Sequence, residues 1–291
     1  MKADAYQVIT DRVITLLEQG TVPWNKPWTS GNATPRNLVS GREYRGVNVF
    51  LLHAMSYGSP YWLTFKQAQA MGGNVMKGEK ATPVIFWKWL ELEERGKAER
   101  VPFLRYYSVF NVAQCERIPA DKIPALNGTE RVHGPIQEAE RIVAGMPKRP
   151  EVKSGLDRAF YSPSGDFVGM PSSGQFRTPE DYYSVLFHEL THSTGHESRL
   201  KRKGASGAEW SAFGSTPYAK EELVAEMGAA FLCGQAGIVE RTLDNSAAYV
   251  SSWLQRFRDD RRLVVQAAAQ AQKAADFILA RTFGEESGVE Q

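Results

Sequence analysis

Three of the chain's five histidines, His188, His192 and His196, fall within the run HELTHSTGH. On an α-helix, residues four apart lie one turn apart on the same face, so His188 and His192 can present imidazole nitrogens to one metal ion while Glu189 projects beside them. That set suits metal-assisted hydrolysis: the ion brings the pKa of a water toward ~7, and Glu189 takes its proton and returns it to the leaving group. A catalytic ion needs three protein ligands and an open position, so a third ligand has to come from elsewhere. On an unbroken helix His196 would sit ~12 Å along the axis from His188, too far for both to reach an ion at ~2.1 Å. It could ligate only if the chain turned at Gly195, and it is expected to line the cleft or hydrogen-bond.

The elements that must position these groups can be read from pattern. Residues 182–187 (YYSVLF) place apolar side chains on more than one face, which predicts that the metal helix is buried. A second helix is predicted over 219–233, AKEELVAEMGAAFLC, with Glu222 lying 30 residues beyond His192 and Glu226 one turn later. HExxH followed by this acid pair resembles the gluzincin zinc peptidases. The resemblance implies Glu222 as third ligand and Glu226 as a carboxylate supporting a ligating histidine; Glu221 is left to an exposed acidic face. Residues 158–171 read as a hairpin turning at 163–166. In zincin-fold peptidases an edge strand beside the metal helix lays out an extended substrate, and the resemblance implies that role for 167–171. Tyr161, Tyr182 and Tyr218 are equal candidates for an oxyanion donor.

The chain has 291 residues, 42% hydrophobic and 11% aromatic, which predicts two core-forming domains. Residues 1–90 carry 10 basic and 5 acidic residues, whereas 91–291 carry 25 and 28, an asymmetry suited to a polyanion-binding module joined to a near-neutral one. The two cysteines, Cys115 and Cys233, are far apart and lack CxxC partners, so neither a disulfide framework nor a cysteine metal site is indicated. No apolar run approaches the ~18 residues of a membrane span, and the first residues lack a signal-peptide pattern. A cytoplasmic location without membrane contact is expected.

The N-terminal part begins with an amphipathic helix over 3–19, followed by a loop-rich tract to residue 46, short helices at 48–55 and 65–71, and strands over 80–90 and 101–112. Five of the seven tryptophans (24, 28, 62, 87 and 89) lie in the first 90 residues, interleaved with basic residues. Aromatic platforms within a basic groove suit binding of single-stranded nucleic acid, although two or three of these rings are expected to fill core. Lys26, Trp28, Arg36, Arg42, Tyr44, Arg45, Trp62, Lys66, Lys77 and Lys80 are the candidate DNA-binding residues.

The runs SGREYRGVN (40–48), YWLTFKQA (61–68), Gly72-Gly73 and KGEK (77–80) resemble the N-terminal single-stranded-DNA-binding domain of ArdC-type plasmid antirestriction proteins, a domain also found at the front of some TraC primases. Met170-Pro171, 183–200 and 218–233 resemble that family's zincin-like domain. The resemblance implies an α+β protein with a single-stranded-DNA-binding domain over 1–125 and a zincin-like metallopeptidase domain over 126–291, joined near a Pro- and Gly-rich linker at 119–135. It further implies protection of incoming plasmid DNA from host restriction during conjugation. The ligand set calls for one divalent ion, zinc with manganese as the alternative, and the intact HExxH points to a DNA-associated protein as candidate substrate. A DNA-binding protein with a purely structural metal and a metal-dependent nuclease are the alternative readings.

Overall fold

The computed structural model describes residues 4–24, 34–94, 97–125, 135–202, 216–238 and 247–281. Helix α1 (Ala5–Glu18) starts at Asp4, whose carboxylate accepts the Tyr6 amide, and buries Ile9, Val13, Leu16 and Leu17 along one face. Strand β1 (Arg36–Asn37) is followed by α2 (Val47–Ala54), β2 (Tyr61–Leu63), α3 (Phe65–Ala70), β3 (Asn74–Val75), β4 (Thr82–Glu94), β5 (Lys97–Asn111) and β6 (Cys115–Glu116). The main sheet runs β1-β2-β5-β4, with β3 and β6 as a separate pair. Thr64 and Gln67 form a reciprocal cap at the start of α3. Asn48 ties α2 to the sheet, because its side chain donates to the Ile85 carbonyl at 2.7 Å and accepts the Ile85 amide at 2.8 Å. The open edge of β4 is satisfied there without another strand.

The second half contains α4 (Pro135–Gly145), β7 (Glu151–Ser154), β8 (Phe160–Ser162), β9 (Phe167–Met170), α5 (Pro179–Ser193), α6 (Thr216–Ala236), α7 (Ala247–Asp259) and α8 (Leu263–Ile278). The hairpin β8–β9 forms, but β9 is not an edge strand as expected from sequence. The order is β7-β9-β8, with β7 parallel to β9 and β8 antiparallel. Strand β7 is EVKS, too short and polar to announce itself, and its pairing moves β9 to the centre and leaves β8 as the antiparallel edge. Part of the linker tract, 126–134, and the tail 284–291 lie outside the described residues.

Small residues let the helices approach. Ala267, Ala268, Ala271, Ala274 and Ala275 of α8 are fully buried, and a Cβ on Gly228 of α6 would lie 2.4 Å from the Thr191 side chain of α5. One apolar core runs from α1 and α2 into α5, α6, α7 and α8. Across it Phe50 of α2 stacks on Phe231 of α6 with ring centres 4.5 Å apart, and Arg45 pairs with Asp276 of α8. Among the described residues no helix is long and apolar enough to cross a membrane.

Candidate metal centre

Helix α5 is set by its ends. Thr178 caps the N-terminus by accepting the Asp181 amide, and Pro179 takes the first turn, where a missing N–H costs nothing. At the other end, where carbonyls lack intrahelical donors, Arg199 donates to the Ser193 carbonyl at 2.7 Å and Arg202 to that of Thr191 at 2.9 Å. The helix is thereby fixed through the turn that carries His188 and His192.

The structure brings His188, His192 and Glu222 together, with ligand-competent atoms all within 4.8 Å of one another. The two imidazole Nε2 atoms are 3.1 Å apart, and the Glu222 oxygens lie 3.5 Å from His188 Nε2 and 3.7 Å from His192 Nε2. Donors at tetrahedral positions ~2.1 Å from one ion stand about 3.4 Å apart, so this spacing fits a divalent cation without rearrangement. Two nitrogens and one oxygen suit zinc and are also acceptable to manganese.

The charges point the same way. Burial would lower the His188 pKa, but contact with Glu222 and the charges of Glu189, Glu222 and Glu226 hold it up at about 9. Burial would raise Glu222, yet the His188 contact, the charges of both histidines and a hydrogen bond from Tyr218 pull it down to about 2. Surroundings that hold a proton this firmly are surroundings that favour a cation in its place.

The supporting carboxylates differ from the sequence expectation. Glu221, read as an exposed acid, is buried, and its Oε1 lies 3.3 Å from His192 Nδ1. Arg202, itself buried, donates to both Glu221 oxygens. A proton kept on His192 Nδ1 by Glu221 leaves Nε2 free to ligate. Glu226 instead accepts from Trp24 Nε1 at 3.2 Å and from the Tyr249 hydroxyl, and its charge acts on His188. Sequence reasoning missed Glu221, Arg202, Trp24 and Tyr249. Only Glu221 carried a local signal, as the neighbour of Glu222 on a helix that turns both toward α5.

His196 lies beyond the helix end and is not one of the converging ligands, with Nδ1 2.8 Å from Ser198 Oγ and 3.8 Å from Asp166 Oδ2. Asp166 is held by Arg199 and by the Tyr161 hydroxyl at 2.9 Å, which commits Tyr161 to fastening the β8–β9 turn. Tyr182 packs edge-on against Phe176 and Tyr183. Of the three tyrosines, Tyr218 is the one at the cluster, and burial, its bond to Glu222 and the charges of Glu222 and Glu189 push its pKa up to about 12. Glu189 is buried beside His188, close enough for its charge to act on both His188 and Tyr218.

The candidate DNA-binding residues separate. Arg42, Lys66, Lys77 and Lys80 are exposed; Arg36 pairs with Glu43 at 3.0 Å and Arg45 with Asp276. Tyr44 and Trp62, at 4% and 2% exposure, are core residues and cannot offer a face to a base. Tyr44 instead lies against Phe86, with ring centres 6.0 Å apart. Lys26 and Trp28 lie outside the described residues, as do the side chains of Trp87 and Trp89. Among the described residues the exposed rings are ones that sequence reasoning did not select: Phe65 at 45%, Phe86 at 44%, Tyr107 at 41% and Tyr106 at 39%, of which Phe86 and Tyr107 are in edge contact at 5.5 Å. Phe86 is the cross-strand partner of Arg105, which is also exposed. Composition marks the aromatic content of this half but not which faces its strands present.

Residues 3–110 match the model of the N-terminal domain of anti-restriction factor ArdC, and 137–270 that of a zincin-like metallopeptidase. A crystal structure of the metal-free antirestriction protein ArdC from plasmid R388 superposes with a TM-score of 0.74 at 37% identity, covering 95% of this chain and 97% of that one. The chain belongs to the ArdC family of antirestriction proteins. The family's Mn(II)-bound R388 structure matches equally, with a TM-score of 0.74. The uncharacterized protein y4eC of Sinorhizobium fredii is 35% identical over 96% of this chain and 92% of its own length. Two DNA primases TraC of Escherichia coli are each 36% identical, but the chain spans only 27% and 20% of their lengths.

Proposed function

We propose that this protein binds single-stranded DNA through its N-terminal half, protects incoming plasmid DNA from restriction during conjugation, and carries a metal-dependent peptidase site in its second half. The convergence of His188, His192 and Glu222 beside the buried Glu189 carries the reading of the site. Zinc is the ion proposed, with manganese the alternative suggested by the R388 relative. When bound, such an ion supplies Lewis acidity to a water and to a substrate carbonyl. His188, His192 and Glu222 hold it, and Glu221 keeps the His192 proton on Nδ1. Glu189 accepts the proton released from water and hands it to the leaving amine. Tyr218, kept protonated, donates to the developing oxyanion. The edge of β8, which among the described residues pairs only with β9, offers backbone groups to an extended peptide.

On the DNA-binding side, Phe86 and Tyr107 supply faces on which unpaired bases stack, and Arg105 answers the phosphates between them. Restriction acts on duplex DNA, so a protein coating the single strand delays formation of its substrate. Protection is therefore assigned to DNA binding, and the peptidase site to a protein on the same DNA. Glu189→Ala tests both assignments. It should keep metal and DNA while peptide hydrolysis falls by about 100- to 10,000-fold, and it should still protect a plasmid entering a restricting host. A variant that holds metal and DNA normally yet gives no protection would overturn the coating mechanism.

A further inference from the structure

Trp24 belongs to the N-terminal family domain, within the 3–110 match, yet its indole is buried in the metal half. Only 2% of it is exposed. Its ring meets Trp253 and Phe257 of α7 edge-on, at 6.5 and 6.1 Å. Its N–H reaches Glu226 Oε2 at 3.2 Å and lies 3.4 Å from the Tyr249 hydroxyl, which itself donates to the same carboxylate oxygen. Glu226 sits on α6 one turn beyond Glu222 and close enough for its charge to act on His188. A buried carboxylate depends on its donors for both its orientation and its tolerance of burial.

We infer that Trp24 is a positioning residue of the metal centre: the N-terminal domain supplies the N–H that aims Glu226 at the His188 side of the site, so metal affinity depends on how that domain is seated. This rests on the reading of His188, His192 and Glu222 as metal ligands. The plain alternative, an indole that merely fills core, predicts that losing the N–H alone changes nothing at the metal, since phenylalanine keeps most of the apolar contact.

The test is a double-mutant cycle on the full chain, with Trp24→Phe, Glu226→Gln and the pair, titrated after metal stripping with Zn(II) and separately with Mn(II). Melting of each metal-free variant reports the fold. Groups that orient a metal ligand are typically worth about 10- to 100-fold in affinity, so Trp24→Phe should weaken binding about tenfold. The pair should be no weaker than Glu226→Gln alone, because the indole acts through that carboxylate. Metal affinity unchanged in Trp24→Phe, or a loss that adds in full to that of Glu226→Gln, would overturn the inference. Should Trp24→Phe melt far below wild type, Tyr249→Phe removes the other donor and is judged by the same two criteria. Glu222→Ala is run alongside: wild-type affinity there would sink the metal-site reading itself, independently of Trp24.

Discussion

The metal centre and the β4–β5 face show two ways of preparing a site. At the first, three carboxylates near the histidines have committed neighbours: Glu222 the two imidazoles, Glu221 the Arg202 guanidinium, Glu226 Trp24 and Tyr249. At the second, Phe86 and Tyr107 hold large apolar surface in solvent beside an arginine. A small ion with fixed ligand distances rewards preorganisation, since donors displaced by an ångström no longer converge. A flexible polyanion rewards exposed ring faces and mobile charges, which tolerate many local geometries.

Substitutions in either region should affect that region and spare the other. The largest separation is expected from Phe86→Ala combined with Tyr107→Ala. Loss of a stacked base is worth ~1–3 kcal/mol, so single-stranded DNA affinity should fall by about 5- to 150-fold per ring while metal affinity stays unchanged. Fluorescence anisotropy with an unstructured oligonucleotide measures it, and an unaltered affinity would remove these rings from the DNA surface. Gly228→Ala is the converse. Its methyl meets the buried, β-branched Thr191, and overpacking of this kind costs about 1–3 kcal/mol. It should lower the melting temperature and weaken metal binding as α5 and α6 separate, with DNA affinity retained.

The smallest effect concerns His53 on α2, whose pKa burial pushes down to about 4 from an ordinary 6.5. A depressed histidine pKa means that the unfolded chain takes up the proton first, so stability is full above about 6.5 and declines as pH falls toward about 4. In His53→Asn the loss of melting temperature over that interval should be shallower than in wild type. Parallel profiles would remove His53 as a source of acid sensitivity.

How much was legible in the sequence follows the range of the interactions. His188, Glu189 and His192 share one helix, so the 3.6-residue turn alone places them together. Glu222 needed the second helix to pack against the first, and resemblance supplied what spacing could not. Trp24, Tyr249, Arg202 and β7 reach their partners across distant parts of the chain and leave no periodic trace. Tyr44 and Trp62 illustrate the reverse problem. An aromatic residue in a basic tract reads the same in sequence whether its ring faces solvent or core, and only the pairing of β2, β4 and β5 decides which rings remain outside.

One divalent ion is proposed to sit between α5 and α6, held by His188, His192 and Glu222. Calorimetric titration of the metal-stripped full chain with Zn(II) and Mn(II), compared among wild type, Glu222→Ala and His196→Ala, tests it most directly. One site per chain is expected, lost or greatly weakened in Glu222→Ala and retained in His196→Ala. Wild-type binding in Glu222→Ala together with loss in His196→Ala would contradict it.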